Sequence, residues 1–250
     1  MAAAYFAYLA FIAIGRRQLR AAGLSTAAFI CVVAVGTPHV MPLVYLLAGY
    51  WLPALLVRKP DPDIERRLLQ FDRRLFGHDG LERFARSAPR PLIEYLELTY
   101  LLCYAIVPAG YVCLVIAGHD SSAIQRYWAV VLLASFLCYG VLPWVATRAP
   151  RTFEPRSGPR RSWIRQLNMA VLNRASVQWN TFPSGHTGAS LAAALAVAGD
   201  MPAAGAVLGV IAVSIAIASV VGRYHYAADA LTGASVAVFA FFIVNGAHVL

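Results

Sequence analysis

The sequence predicts an all-α polytopic membrane protein, a bundle of apolar helices with amphipathic helices lying at its interface. Three observations predict it. The 250 residues are 60% hydrophobic and only 13% charged, whereas a soluble domain carries about 25% charged residues. The apolar residues gather in runs long enough for membrane helices, separated by arginine-rich connections. Two of those connections interleave arginines with apolar residues at helical spacing, the mark of a helix lying in the interface. The net charge of +9 raises nucleic acid as a partner. The arginines are confined to connections beside apolar runs, so a membrane surface and a phosphate group account for them and no nucleic acid is expected.

The elements follow in order. Residues 2–15 are apolar and end at Arg16, Arg17 and Arg20. They read either as a short first span or as an interfacial helix. The positive charges follow the run, whereas a secretory signal has them before it, so no cleavable signal is expected. Residues 22–57 are apolar with a break at Gly36-Thr37-Pro38-His39. Pro38 disfavours helix at Thr37, which predicts two short spans, about 22–36 and 40–57. His39 is read as a structural turn residue. Residues 1–38 are thus assigned to N-terminal membrane helices and 39–250 to the main transmembrane core.

In residues 58–91, Ile64, Leu68, Leu69, Phe71, Leu75 and Phe76 alternate with Arg66, Arg67, Arg73 and Arg74. This predicts an amphipathic helix that meets anionic headgroups. His78-Asp79, between two glycines, reads as a turn, because adjacent residues do not face each other on a helix. A span is predicted over 92–117. Its Glu97 reads either as a hydrated interface acid or as a partner standing behind an active-site arginine. A span over 124–145 delivers Arg148. The basic stretch 146–183 contains Trp163, Ile164, Leu167, Val171 and Leu172 at helical spacing, a second interfacial helix. Three last spans cover about 185–199, 203–222 and 226–248, the first two rich in the small residues that favour close helix approach. The four cysteines fall inside apolar runs without metal-ligand spacing, and neither disulfides nor a metal are expected.

Two stretches carry chemistry. Thr181-Phe182-Pro183-Ser184-Gly185-His186-Thr187 opens one predicted helix, and Gly222-Arg223-Tyr224-His225-Tyr226-Ala227-Ala228-Asp229 opens another. His225 and Asp229 are four apart, on one helical face and within reach. A carboxylate there can fix the imidazole tautomer and leave the other nitrogen free to attack. Ser184-Gly185-His186 sits at a helix start, whose unpaired amides and dipole favour an anion. Two histidines, a carboxylate, a helix N-terminus and nearby arginines suit phosphoryl transfer through a phosphohistidine.

These motifs resemble those of the type 2 phosphatidic acid phosphatase superfamily, over roughly residues 92–248. That family has Lys-x6-Arg-Pro, Pro-Ser-Gly-His and Ser-Arg-x5-His-x3-Asp. The second is complete as Pro183-Ser184-Gly185-His186. The third is present as His225-x3-Asp229, with Arg223 two residues before the histidine and Ser219 where the family has arginine. The first is reduced to Arg148-Ala149-Pro150-Arg151, with Val141 in the place of the lysine. The resemblance implies a six-helix phosphatase core, to which one or two N-terminal helices are added. It implies His225 as nucleophile, Asp229 as its orienting acid and His186 as general acid and base. Ser184, the Gly185 amide, Arg148, Arg151 and Arg223 would hold phosphate, with Arg151 a substitute for the missing lysine.

The activity so implied is a metal-independent, cofactor-free hydrolase of lipid phosphates or diphosphates in a cell membrane. The shortened third motif is similar to the branch with inositol phosphorylceramide synthases, which implies an alternative: transfer of a phospho-headgroup to an alcohol. A non-catalytic protein that binds lipid phosphates is the third reading. With these spans every Lys and Arg except Arg126 falls on the side of both motifs, which by the positive-inside rule is the cytoplasmic one.

Overall fold

In a computed structural model the structure describes residues 1–36, 41–57, 59–153 and 162–246. Among these, twelve α-helices and three short 3-10 turns form an all-helical bundle. The helices are α1 (Ala2–Gly15), α2 (Leu19–Val35), α3 (Met41–Trp51), α4 (Pro62–Phe76), α5 (Gly80–Ser87), α6 (Arg90–Leu101), α7 (Ile106–Ile116), α8 (Ser121–Tyr139), α9 (Trp163–Ala175), α10 (Gly185–Asp200), α11 (Pro202–Val221) and α12 (Ala227–Gly246). Three of them, α8, α11 and α12, are long and apolar enough to cross a membrane by themselves.

The span expected over 92–117 is broken. α6 and α7 are bent by 65° at a break around Ala105. The reason is Pro108, three positions into α7. It has no N–H for the carbonyl of Tyr104, and its ring crowds that carbonyl. Together the two halves have the length and apolarity of one bent crossing or of a re-entrant loop.

α10 lies at the centre, packed against α8, α11 and α12. Its alanines make this possible: Ala192, Ala193 and Ala194 are buried, and small side chains let helix backbones approach. Gly233 of α12 is the closest point. A Cβ there would lie 2.3 Å from the Ser184 carbonyl oxygen, so only glycine lets α12 pass the head of α10.

α1 packs into the bundle through Phe6, Leu9 and Ala13, with Tyr5 stacked on Phe136 of α8 at 4.2 Å. Its 14 residues rise about 21 Å, less than the hydrocarbon thickness. The expected break near Pro38, with His39, lies outside the described residues.

α4 is the amphipathic helix expected over 58–91. Asp61 caps it, accepting from the amides of Asp63 and Ile64. Arg66, Arg67, Arg73 and Arg74 face out, while Glu65, Leu68 and Asp72 face in. A second short helix, α5, follows the His78-Asp79 turn and was not expected as a separate element. His78 and Asp79 bond each other at 2.8 Å on the surface. α9 fits the second interfacial helix, capped by Ser162.

Candidate active site

The three motif segments meet at one end of α10. Thr147 pairs with Asn180 in an isolated parallel bridge, and its hydroxyl lies 2.5 Å from that of Thr181. The first-motif segment is thereby laid beside the second. The Arg151 amide donates to the Arg223 carbonyl at 3.2 Å, and the Ser184 amide to the Asp229 carbonyl at 2.9 Å. The third segment is held against both.

His225 is buried between α11 and α12, its amide bonded to the Ser219 carbonyl. Its Nδ1 lies 2.9 Å from the Thr181 carbonyl oxygen and 3.4 Å from Oδ2 of Asp229. A carbonyl can only accept, so Nδ1 carries the hydrogen and Nε2 keeps its lone pair. Asp229, fully buried, also accepts from the Tyr226 amide at 2.9 Å and so caps its own helix. The sequence signalled the carboxylate but not the main-chain partner, which comes from a segment 44 residues away.

His186 stands in the first turn of α10, its ring 5.7 Å from that of His225, edge to face. Tyr100 and Tyr104 flank it at 5.7 and 5.6 Å. Ser184 is fully buried and accepts from the Thr187 amide at 3.3 Å, so its hydroxyl caps the helix it opens. A Cβ on Gly185 would meet the Tyr139 ring at 2.2 Å, which accounts for the glycine. Among the described residues the amides of Gly185 and His186 have no acceptor, as expected for the head of a helix.

The arginines divide by partner. Arg148 donates to Glu65 through Nε, NH2 and its main-chain amide, at 3.1, 2.9 and 2.8 Å. That bonding raises its pKa further, and its side chain stays 40% exposed. Arg165 donates to Glu97 at 2.7 Å and to the Gly222 carbonyl. Arg223, expected at the phosphate, has a buried side chain turned onto Asp72 at 2.9 Å. Arg151 differs. Among the described residues it has no carboxylate partner. Its guanidinium lies over the Tyr224 ring at 5.3 Å and 3.5 Å from the Tyr224 carbonyl oxygen. The Tyr224 ring that it covers stacks on Tyr100, which flanks His186. Burial draws the Arg151 pKa below the usual value, but arginine starts so high that it stays charged.

Behind these groups lies a buried network. Glu97 accepts from Arg165, from Asn168 at 2.8 Å and from the Tyr224 hydroxyl at 2.6 Å. Tyr224 stacks on Tyr100 at 4.0 Å. Burial, then the Glu97 charge, pushes the Tyr224 hydroxyl well above its usual pKa. Glu97 is 2% exposed and is an arginine partner rather than a hydrated interface acid, but its arginine is Arg165 and none of the three expected at the phosphate.

Fold and site together define a multi-pass membrane protein with two histidines facing each other at the head of a buried helix. A family model described as the PAP2 superfamily matches residues 66–243, and the chain belongs to that superfamily. Membership carries phosphatase-like function toward lipid phosphates at the general level. No curated protein and no solved structure matches the chain.

Proposed function

We propose that the protein is an integral-membrane lipid phosphate or diphosphate phosphatase acting through a phosphohistidine, with its site at the cytoplasmic face. One observation carries the reading: the Nδ1 of His225 is occupied by the Thr181 carbonyl and Asp229, so its basic Nε2 is the nitrogen available beside the His186 ring.

In this reaction the Nε2 lone pair of His225 attacks phosphorus and a P–N bond forms as the P–O ester bond breaks. The leaving alkoxide takes a proton from protonated His186. Neutral His186 then accepts a proton from water, whose oxygen attacks phosphorus. The P–N bond breaks, and phosphate leaves. Asp229 stabilises the charge that develops on His225. Arg151 contacts the phosphate, supported by its charge and its lack of a carboxylate partner among the described residues. The Gly185 amide adds an N–H at the head of α10, where anions are favoured. Arg148 offers NH1, which has no bonding partner among the described residues, for a second contact beyond the Nε and NH2 bonded to Glu65. Ser184 and Arg223 hold the two segments in place, an assignment supported by their burial and their partners. No metal is required in this reaction: Glu65, Asp72 and Glu97 each hold an arginine, and Asp229 faces His225.

The test is phosphate release from a panel of lipid phosphates by purified protein with chelator present, beside His225→Ala. Release by the wild type that the variant lacks supports the reading. Metal-dependent release, or release by His225→Ala, overturns it. The shortened third motif around Arg223 and His225 favours a second reading, transfer to an alcohol. Adding alcohol acceptors to the same assay separates the two, because a transferase passes the phosphoryl group to the alcohol as a new phosphate monoester instead of releasing free phosphate.

A further inference from the structure

We infer that α4 is a strap that positions the reacting histidine from outside the transmembrane bundle, with Asp72 as the positioning residue. The inference rests on the reading of His225 as nucleophile.

Asp72 is 3% exposed and divides its two oxygens. Oδ2 accepts from the Arg223 guanidinium at 2.9 Å, and Oδ1 accepts from the Ala227 amide at 2.8 Å. Arg223 and Ala227 lie two residues before and two residues after His225. One carboxylate therefore grips both flanks of the nucleophile. Arg223 has a φ of +60° and is the left-handed residue that ends α11, its amide bonded to the Val220 carbonyl and the Tyr224 amide to the Ser219 carbonyl; this turn hands the Arg223 guanidinium to Asp72. Ala227 opens α12, where the amide has no partner within the helix. Asp72 supplies the missing acceptor from another helix and places negative charge at the positive end of the dipole.

Glu65 lies two turns earlier on the same face of α4 and holds Arg148 by side chain and main chain. The same face thus sets the third-motif loop and the arginine of the first-motif segment. Membrane anchoring does not explain these acids. A helix that only lay on headgroups would turn an apolar face inward, and burying carboxylates carries a desolvation cost. α4 spends its inner face on site residues while Arg66, Arg67, Arg73 and Arg74 face out.

The experiment compares full-length wild type with Asp72→Asn, Asp72→Ala and Asp63→Asn in lipid nanodiscs. Asp63 is an exposed acid of α4 paired with Arg66 and serves as control. Asparagine preserves size and an oxygen for the Ala227 amide but removes the charge that holds Arg223. On the lipid phosphate that the wild type hydrolyses, Asp72→Asn should lower kcat roughly 100-fold, as expected when a reacting group is misplaced by about 1 Å. Its KM should stay within about two-fold, because ground-state phosphate contacts remain. Asp72→Ala should fall further, and Asp63→Asn should match wild type. In the same samples, amide exchange across residues 223–229 should rise in Asp72→Asn while α10 keeps its protection. Wild-type kcat in Asp72→Asn, or exchange raised equally throughout the bundle, overturns the strap. If the wild type neither hydrolyses nor transfers any phosphate of the panel, the reading of His225 fails. The exchange at 223–229 then still decides the strap: unchanged protection there overturns it.

Discussion

The Nδ1 of His225 is closer to the main-chain carbonyl of Thr181, at 2.9 Å, than to the carboxylate of Asp229, at 3.4 Å. The tautomer of the histidine is thus set by the backbone of the second-motif segment. Asp229 adds charge and caps α12 through the Tyr226 amide.

Asp229→Asn therefore tests charge separately from tautomer. In a serine protease triad, the equivalent change costs about 10⁴-fold because the histidine adopts the wrong tautomer. Here the Thr181 carbonyl preserves the tautomer, and a loss of roughly 100-fold in kcat is expected from the charge alone. A loss as large as that of His225→Ala would show that the carboxylate sets the tautomer after all.

His186→Ala should lower kcat on a lipid phosphate by about 10²–10⁴-fold, the usual contribution of a positioned general acid or base. Phosphohistidine formation should be far less affected for an aryl phosphate, whose leaving group needs no proton. Single-turnover release of the aryl alcohol measures this. Equal impairment of both substrates in that first step would remove His186 from the leaving-group side.

Arg151→Ala should cost about 1.5–3 kcal/mol of transition-state binding, the range for a hydrogen bond to a charged group. Lysine should restore only part of it, since a point charge does not replace the planar fork. Arg148→Ala should cost less, because Glu65 already takes two of its donor nitrogens. Steady-state kcat/KM for the three variants checks the ranking, and a larger loss at Arg148 would reverse the assignment.

Glu97→Ala should destabilise the fold by about 3–5 kcal/mol, the cost of leaving a buried partner uncompensated. The acid is 2% exposed and its arginine 14%, so solvent screens the pair little. Thermal unfolding in detergent reads the change. Tyr224→Phe, which removes one of the three donors, should cost only about 1 kcal/mol.

Gly233→Ala should impair folding more than Gly185→Ala. The new methyl at 233 meets a main-chain oxygen at 2.3 Å, which cannot move without shifting α10, whereas at 185 it meets a tyrosine ring. Overpacking of this kind typically costs about 1–3 kcal/mol. Yield of folded protein by size-exclusion chromatography orders the two, and Tyr139→Ala should rescue only Gly185→Ala.

The sequence by itself determined the all-helical membrane class, the amphipathic α4 and α9, the family, and the stretches that carry the two histidines. Those are local properties: polarity, helical period, and residue types at fixed short spacings. It also contained Pro108, the cause of the bend between α6 and α7, although an uninterrupted apolar run hid the consequence. Tertiary structure alone decided the partners. Arg148 finds Glu65 across 83 residues, Arg165 finds Glu97 across 68, and Arg223 finds Asp72 across 151. No periodicity encodes such pairs, because any exposed arginine of a connection could meet any acid. Packing the helices around α10 brings each acid within bonding distance of one guanidinium, and a buried charge must take the partner that geometry gives it. That packing also separates Arg151 from Arg148 and Arg223, the other two arginines expected at the phosphate: each of those lies against a buried acid, whereas Arg151 lies over the Tyr224 ring without a carboxylate partner among the described residues.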